Sequence, residues 1–297
     1  MAAVELFHTS LFFDANLQAY YRFNTGALTT DSKGSNTLTN NNTVGETASG
    51  KFGYAADFGS SNSNKSFIIA NKIGITTWAS PFTFSLWIKR YGEITSGEQN
   101  FIFHSVKVAT SGGLSWIGYQ YNSGTPRLNF SRYDGTNTEN AYITASLGTD
   151  WHHVVMVYDG TNITPYLNGV AGTPVASDGT GGNVYSDNFG LGWYGSSPYF
   201  SGYIDDVAVF NRALTAQEVE DLFDGDSATT TSTSTTSTST STSSTSTSTT
   251  STTITVTSTT ISTSTTTSTS SSTSTTTTTL LLDFIPKMEG ISFRLVQ

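Results

Sequence analysis

The sequence predicts an all-β protein built around an antiparallel β-sandwich or barrel, with a short helix closing the domain. Short apolar runs alternate with clusters of Gly, Asn, Asp and Ser, which are turn formers. The composition combines 27 glycines and 12% aromatic residues with only 12% charged residues. Helical periodicity is rare along the chain. These features together favour many short strands joined by tight turns.

A dozen runs within residues 1–226 have the length and the aromatic or β-branched content of strands. In chain order they are LQAYYRF, GYAADF, SFIIA, FTFSLWIKR, NFIFHSV, LSWIGYQY, RLNFSRY, AYITAS, HHVVMVY, ITPYLNG, NFGLGWY and YIDDVAVF. A helix follows over residues 215–223, where Thr215 is the predicted N-cap and Glu218 its capping-box partner. We therefore expect residues 1–226 to form one domain that the helix closes.

The stretch WHHVVMVYDGTNITPYLNG, residues 151–169, raises the question of a metal site because it contains two adjacent histidines. Neighbouring side chains of a strand point to opposite faces, so His152 and His153 would not hold one ion together. We expect each histidine to form local hydrogen bonds instead. We also expect Trp87 and Trp151 to fill the sandwich core.

Two further regions follow the domain. Residues 227–279 are a low-complexity Ser/Thr-rich segment that lacks the apolar residues for a core of its own. Two interpretations stay open: a flexible stalk, with or without O-linked sugars, or an ordered polar fibre made from several copies. Residues 280–297 are apolar again and predict a C-terminal β-hairpin. A lone hairpin is marginal in water, so we expect it to dock or to form a homo-oligomer.

Charge and composition exclude several classes of protein. The net charge is −9, and two acidic and two basic residues cancel beyond residue 226, so the domain carries all of it. An acidic surface disfavours nucleic acid as a partner. The chain has no cysteine and no run of the roughly 20 apolar residues that a membrane span needs. The N-terminus lacks the features of a secretory signal peptide.

The motifs from Trp151 to Gly169 and from 200 to 223, FSGYIDDVAVFNRALTAQEVEDLF, resemble the LamG-like jelly-roll family of the concanavalin A-like lectin/glucanase superfamily. The family's W-H-H-V strand, D-G turn, N-G turn and G-x-I-D-D-V last strand are all present. The resemblance covers about residues 14–224. It implies an antiparallel jelly-roll β-sandwich. This fold carries lectins, hydrolases and structural modules, so it does not by itself imply one activity.

The resemblance also implies a candidate calcium site, because a last-strand aspartate often binds a structural Ca²⁺ in this superfamily. The candidate ligands are Asp205 and Asp206, with Gly59 in the stretch DFGSS. The chain departs from the family at DFGSS, where FDGS is usual. The alternative is that one aspartate caps backbone amides or pairs with Arg212, and that the other is solvated.

No catalytic constellation is recognisable. Glucanases of this fold place alternate carboxylates on one strand, and this sequence has no such strand. A Ser-His-Asp arrangement, a P-loop and an H-E-x-x-H motif are also missing from the sequence. We therefore expect no enzyme activity.

Aromatic residues on polar loops or strands are the candidates for glycan binding, because a sugar stacks its C–H face on a ring. The candidate ligand-binding residues are Trp193, Tyr194, Tyr199, Trp116 and Tyr121. The expected function is a non-catalytic carbohydrate-binding or adhesion module, extracellular or at a cell surface, with a glycan or cell-surface polysaccharide as partner. The alternative is a structural decoration or fibre protein of a virion or an extracellular appendage.

Overall fold

The computed structural model describes residues 9–60, 64–69, 71–95, 99–106, 115–133, 137–178, 188–192 and 199–225. Within this part of the chain there are two helices and sixteen strands. In chain order they are α1 (Thr9–Phe12), β1 (Leu17–Tyr21), β2 (Thr39–Asn41), β3 (Gly45–Thr47), β4 (Ala55–Asp57), β5 (Ser66–Ile69), β6 (Phe82–Arg90), β7 (Gln99–Val106), β8 (Ser115–Asn122), β9 (Thr125–Tyr133), β10 (Thr138–Thr144), β11 (Trp151–Tyr158), β12 (Asn162–Leu167), β13 (Val170–Ala171), β14 (Val175–Ala176), β15 (Asn188–Leu191), β16 (Gly202–Phe210) and α2 (Ala216–Asp224).

The strands form two antiparallel sheets. Sheet A has the order β13-β12-β11-β6-β16-β4-β3, with β1 added beside β16 and β14 beside β12. Sheet B has the order β10-β9-β8-β7-β15-β5-β2. Neighbours in the sheets are often distant in the chain, as in the pairing of β6 with both β11 and β16. The all-β antiparallel sandwich predicted from the sequence is confirmed.

Side-chain alternation along each strand builds the core. In β6, Phe82, Phe84, Leu86 and Ile88 point between the sheets and join the main hydrophobic cluster. The residues between them, such as Ser85, point to the outer face of sheet A. Burying a large apolar side chain stabilises a fold by roughly 1.5–3 kcal/mol. The many buried rings between the sheets are therefore the main source of stability.

A second, smaller hydrophobic cluster lies on the outer face of sheet A, where residues of α1 and α2 cover it. Val219 and Leu222 of α2 are buried in this cluster. The capping box predicted at Thr215 and Glu218 is present in both directions. Arg212 fixes the helix start further, because its guanidinium bonds the Glu218 carboxylate at 2.7 and 2.8 Å.

The predicted Asn-Gly turn after β12 is a two-residue hairpin loop. Asn168 and Gly169 both have positive φ, at 52° and 77°, as a type I′ turn requires. Neither helix in the described residues is long and apolar enough to cross a membrane. The predictions for residues 227–279 and 280–297 lie outside the described residues.

Candidate functional site

The outer face of sheet B carries a cross-strand arrangement of aromatic and polar side chains. Alternation along β8 points Ile117 and Tyr119 into the core and Trp116 outward. Along β9, Leu128 and Phe130 point inward, so Asn129 and the residues two positions away point outward. Tyr142 of β10 is the cross-strand partner of Asn129 and therefore shares its outward face. We call the outward residues Trp116, Asn129, Ser131, Arg127 and Tyr142 the sheet B site.

Trp116 lies at the centre of the sheet B site, and its ring is partly exposed. The ring lies across Gly118, since a Cβ added at Gly118 would come within 2.7 Å of the Trp116 Cζ3 atom. The edge of Phe101 supports the ring from β7, with centroids 5.0 Å apart. A glycine two residues along the strand therefore lets the indole lie over the sheet.

Two polar side chains of β9 lie beside this ring. Ser131 is the cross-strand neighbour of Trp116, and Asn129 is the neighbour of Gly118. They are 0% and 3% exposed, yet no described residue forms a hydrogen bond with Ser131 Oγ or Asn129 Oδ1. A buried polar atom without a partner costs about 1–3 kcal/mol. Such atoms mark a place where a ligand hydroxyl or a water would be bound favourably.

A charged and aromatic rim borders these residues. The Arg127 guanidinium lies over the Tyr142 ring, 4.0 Å from its centroid. With its amide oxygen turned toward Arg127, Gln120 accepts two hydrogen bonds from the guanidinium at 2.9 Å. Tyr142 is 39% exposed, which is uncommon for a large apolar ring in this domain. The rim therefore offers a partly exposed ring that Arg127 holds on one side, with fixed polar groups beside it.

The structure brings only some of the predicted ligand-binding aromatics together. Tyr199 forms a β-bridge with Phe101, which contacts Trp116, so these two predicted residues lie near one another. Tyr121 points to the other face of β8 and packs partly against the core. It is therefore separated from Trp116 by the sheet. Trp193 and Tyr194 lie outside the described residues.

Sequence reasoning missed Asn129, Ser131, Arg127 and Tyr142. A signal was present in the run RLNFSRY, because Arg, Asn and Ser alternate there with Leu and Phe and so share one face. That alternation identifies an outward polar face. It does not identify Trp116 of another strand as the neighbour of that face.

Asp205 and Asp206 lie at a β-bulge in β16, where the pairing with β6 shifts between Asp205 and Ala208. Asp205 is fully buried, and its carboxylate accepts hydrogen bonds from the backbone N–H groups of Lys51, Phe52 and Asp206 at 2.8, 3.2 and 2.9 Å. Asp206 accepts a short hydrogen bond from the Tyr20 hydroxyl. The predicted pairing of Arg212 with one of these aspartates is not seen among the described residues. The Arg212 guanidinium instead pairs with Glu218 and Asp14.

Burial shifts the acid–base behaviour of this pair. Loss of water around Asp205, and secondly the charge of Asp206, raise the pKa of Asp205 to about 9, although the three backbone donors oppose this. Burial, and secondly the charge of Asp206, raise the pKa of Tyr20 well above its usual range. We infer that the pair of carboxyls retains a proton at neutral pH.

The predicted calcium ligands do not fit a calcium site in the arrangement that the structure describes. Calcium needs about six to eight oxygen ligands, whereas the groups directed at Asp205 are N–H donors. The Gly59 N–H donates to Asp57 at 2.7 Å, so this contact links Gly59 to Asp57 and not to Asp205, the other predicted ligand. Among the described residues no group of three or more His, Asp or Glu side chains is placed to hold a metal ion. The contacts of Asp205 correspond to the alternative in which an aspartate caps backbone amides.

The adjacent histidines lie on opposite faces of β11. The His152 Nε2 atom is 2.6 Å from the Leu147 carbonyl, and its Nδ1 is 3.1 Å from the Asn168 amide nitrogen. His153 bonds Ser85 through Nε2 at 2.8 Å and stacks on Trp87. Burial, with a smaller effect of Lys51, lowers the pKa of His153 to about 3. Both residues therefore form local contacts within the domain.

The expectation that Trp87 and Trp151 fill the sandwich core is wrong in its details. Trp87 is buried, but on the outer face of sheet A, where it stacks on Phe223 of α2. Trp151 shares that face at the start of β11 and remains partly exposed. The sequence shows only which residues of a strand share a face, and not which face meets the other sheet.

Comparisons with known proteins agree with this architecture. A family model described as the concanavalin A-like lectin/glucanases superfamily matches residues 61–220. No curated protein matches the chain.

Several solved structures share the fold. Domain 4 of the extracellular arabinanase AbnA from Geobacillus stearothermophilus, solved with arabinotriose, has a TM-score of 0.53 and 23% identity over 70% of this chain and 98% of its own. The binding domain of botulinum neurotoxin DC, solved with rat synaptotagmin II, has a TM-score of 0.56 and 17% identity. The match covers 70% of this chain and 51% of the neurotoxin chain, so this chain corresponds to about half of that binding domain. A botulinum neurotoxin type C structure, whose description names two ganglioside molecules, has a TM-score of 0.55 and 18% identity, covering 71% and 52%.

Proposed function

The chain belongs to the concanavalin A-like lectin/glucanases superfamily, and from this premise we propose that its domain is a non-catalytic carbohydrate-binding module. The ligand binds on the outer face of sheet B, at the sheet B site. The Ser/Thr-rich residues 227–279 would hold the domain away from an extracellular surface. The partner is a glycan or a cell-surface polysaccharide.

One observation carries this proposal: a partly exposed indole lies beside two buried polar atoms that lack partners in the described structure. Trp116 offers a flat apolar surface for the C–H face of a sugar ring. Asn129 Oδ1 and Ser131 Oγ would bind a hydroxyl that enters beside the indole. Small-molecule sites combine apolar walls with a few placed polar groups in this way.

The composition of sheet B supports binding without catalysis. A glycosidase uses two carboxylates about 5–10 Å apart. Glu139 is the one carboxylate within the described strands of sheet B. Its carboxylate is paired with the Arg132 guanidinium at 2.6 Å. An ion-paired carboxylate on its own cannot supply both the acid and the nucleophile.

The fold neighbours make sugars the appropriate first probes. The arabinanase domain was solved with arabinotriose, and one neurotoxin structure is described by its interaction with gangliosides. The proposed ligands are glycans as a class.

A glycan array probed with the full chain tests the proposal. We expect Trp116→Ala to weaken binding by at least roughly tenfold, corresponding to about 1.4 kcal/mol. Gly118→Ala should also weaken binding, because the added Cβ would displace the Trp116 ring. Tyr121→Ala is the matched control, since it removes a ring from the opposite face of the same strand.

Two results would contradict the proposal. One is glycan binding by Trp116→Ala at the strength of the unmodified chain. The other is an unmodified chain that binds no glycan, which would instead favour a purely structural role in a virion or an appendage. Thermal melting of each variant confirms that the domain is folded.

A further inference from the structure

A second aromatic surface lies on the opposite side of the domain, on the outer face of sheet A. Trp151, Lys89, Tyr203 and Asp57 are successive cross-strand neighbours on β11, β6, β16 and β4. Tyr91 joins them directly after β6 and is 40% exposed. We call these five residues the sheet A platform.

The platform is one part of this face that helix α2 leaves accessible. Two residues further along the strands, His153 and Trp87 are buried beneath Phe223 of α2. By contrast, Trp151 and Tyr203 are partly exposed. The boundary between the covered and the accessible part therefore runs between these two rows of side chains.

The rings of the platform are held in a fixed arrangement. Tyr203 lies between the other two, with its centroid 4.9 Å from Tyr91 and 6.4 Å from Trp151. The Tyr91 hydroxyl donates a short hydrogen bond to Asp57, which also accepts from the Gly59 N–H. Restrained rings lose little conformational entropy on binding, which favours their use as a binding surface.

We propose that the sheet A platform is a second carbohydrate-binding site, for a neutral pyranose unit of a polysaccharide. The ligand class follows the proposed function, but the site is separate from the sheet B site. Trp151 and Tyr203 offer apolar ring surface to the C–H face of the sugar. Lys89 donates to sugar hydroxyls and Asp57 accepts from them at the edge of the rings.

The charge of the domain selects neutral sugars. The net charge of −9 repels sulfated, sialylated and uronic-acid polymers. Within the platform the single positive charge of Lys89 is balanced by Asp57, so it does not form an anion-binding cluster. A neutral pyranose gains ring contact and hydrogen bonds without an electrostatic penalty.

Two sites on opposite faces have a functional consequence. One domain would bind two polysaccharide chains at once, or two distant segments of one chain. Binding to a polymer then gains from multivalency without any new contact, because the second event is intramolecular.

Affinity electrophoresis of the full chain separates the two sites. The gels contain xylan, mixed-linkage β-glucan, galactomannan or heparin, and the variants are Trp116→Ala, Trp151→Ala and their combination. We expect Trp116→Ala to remain retarded in at least one neutral gel, and the double variant to bind roughly tenfold more weakly than Trp116→Ala. Phe13→Ala, which removes a ring that is 73% exposed elsewhere, should migrate like the unmodified chain.

The outcomes distinguish this inference from the proposed function. Loss of all retardation in Trp116→Ala would overturn the second site and leave the sheet B site standing. If Trp151→Ala loses its retardation while Trp116→Ala is retarded as strongly as the unmodified chain, the result would support the platform and overturn the sheet B site. No retardation of the unmodified chain in any neutral gel, or retardation by heparin alone, would overturn the platform. If Trp151→Ala does not fold, Asp57→Asn retains an acceptor for Tyr91 and should still weaken binding.

Discussion

The stability of the domain should pass through a maximum near about pH 6.5, because three buried groups change protonation on folding. Burial lowers the pKa of His104 and of His153 to about 3. Burial and the Asp206 charge raise the pKa of Asp205 to about 9. In the unfolded chain these groups return to about 6.5 for histidine and about 3.9 for aspartate.

The two kinds of group act in opposite directions. Between about pH 4 and 6.5 the unfolded chain binds two protons, on His104 and His153, that the folded chain does not, so stability rises with pH. From about pH 4 to 9 the folded chain holds a proton on the Asp205–Asp206 pair that the unfolded chain has lost, so this pair lowers stability as pH rises. Each proton corresponds to about 1.4 kcal/mol per pH unit.

Adding the effects of the two histidines and the aspartate predicts how the unfolding free energy changes with pH. Below about pH 6.5 two histidines outweigh one aspartate, and stability should rise by about 1.4 kcal/mol per pH unit. Above that point, of these buried groups only the Asp205–Asp206 pair still changes protonation on folding, and stability should fall at about the same rate. Four acids have lowered pKa values in the folded domain and therefore change the stability mainly at pH values more acidic than those of this profile. They are Asp14, Glu93, Asp159 and Glu218.

Urea unfolding of the full chain at several pH values between about 5 and 9, followed by tryptophan fluorescence, measures this profile. His153→Gln should flatten the acidic limb, since one histidine then balances Asp205. Asp206→Asn should make the alkaline limb shallower, because it removes the neighbouring charge. Its φ of 44° suits Asn, and the amide oxygen still accepts from Tyr20.

A flat or rising stability between about pH 7 and 9 would refute the reasoning. It would mean that Asp205 is ionised in the folded domain and that its three backbone donors outweigh burial. A constant dependence of the unfolding free energy on urea concentration is the control, because it excludes a change in the surface exposed on unfolding.

Three further predictions concern the helix, the ion and the tail. Thr215→Ala should lower the unfolding free energy by about 1 kcal/mol in urea titration, since it removes the N-cap of α2, whereas Thr215→Ser should not. Saturating chelator should leave the melting temperature unchanged, and a fall would restore calcium at Asp205 and Asp206. We predict that the full chain is oligomeric and that deleting residues 280–297 leaves monomers in light scattering, because burying each large apolar side chain of the predicted hairpin is worth roughly 1.5–3 kcal/mol. Equal masses for the two chains would contradict this.

The sequence by itself predicted twelve of the sixteen described strands, the Asn168-Gly169 turn and the start of α2, because these depend on residues close together in the chain. It did not predict α1 or the short strands β2, β3, β13 and β14. The Asn168-Gly169 turn needs only two residues that tolerate positive φ. The capping box at Thr215 and Glu218 spans three positions. Alternation likewise placed His152 and His153 on opposite faces.

Only the tertiary structure decided which side chains meet across strands. Trp116 was a candidate from the sequence, but its neighbours Asn129 and Ser131 follow from the register of β8 with β9. Trp151 was expected in the core, yet it lies on the outer face of sheet A. The prediction failed because alternation shows which residues share a face but not which face meets the other sheet. Asp205 is capped by a loop more than 150 positions earlier in the chain. Contacts of this range depend on the packing of the whole domain, which no local pattern encodes.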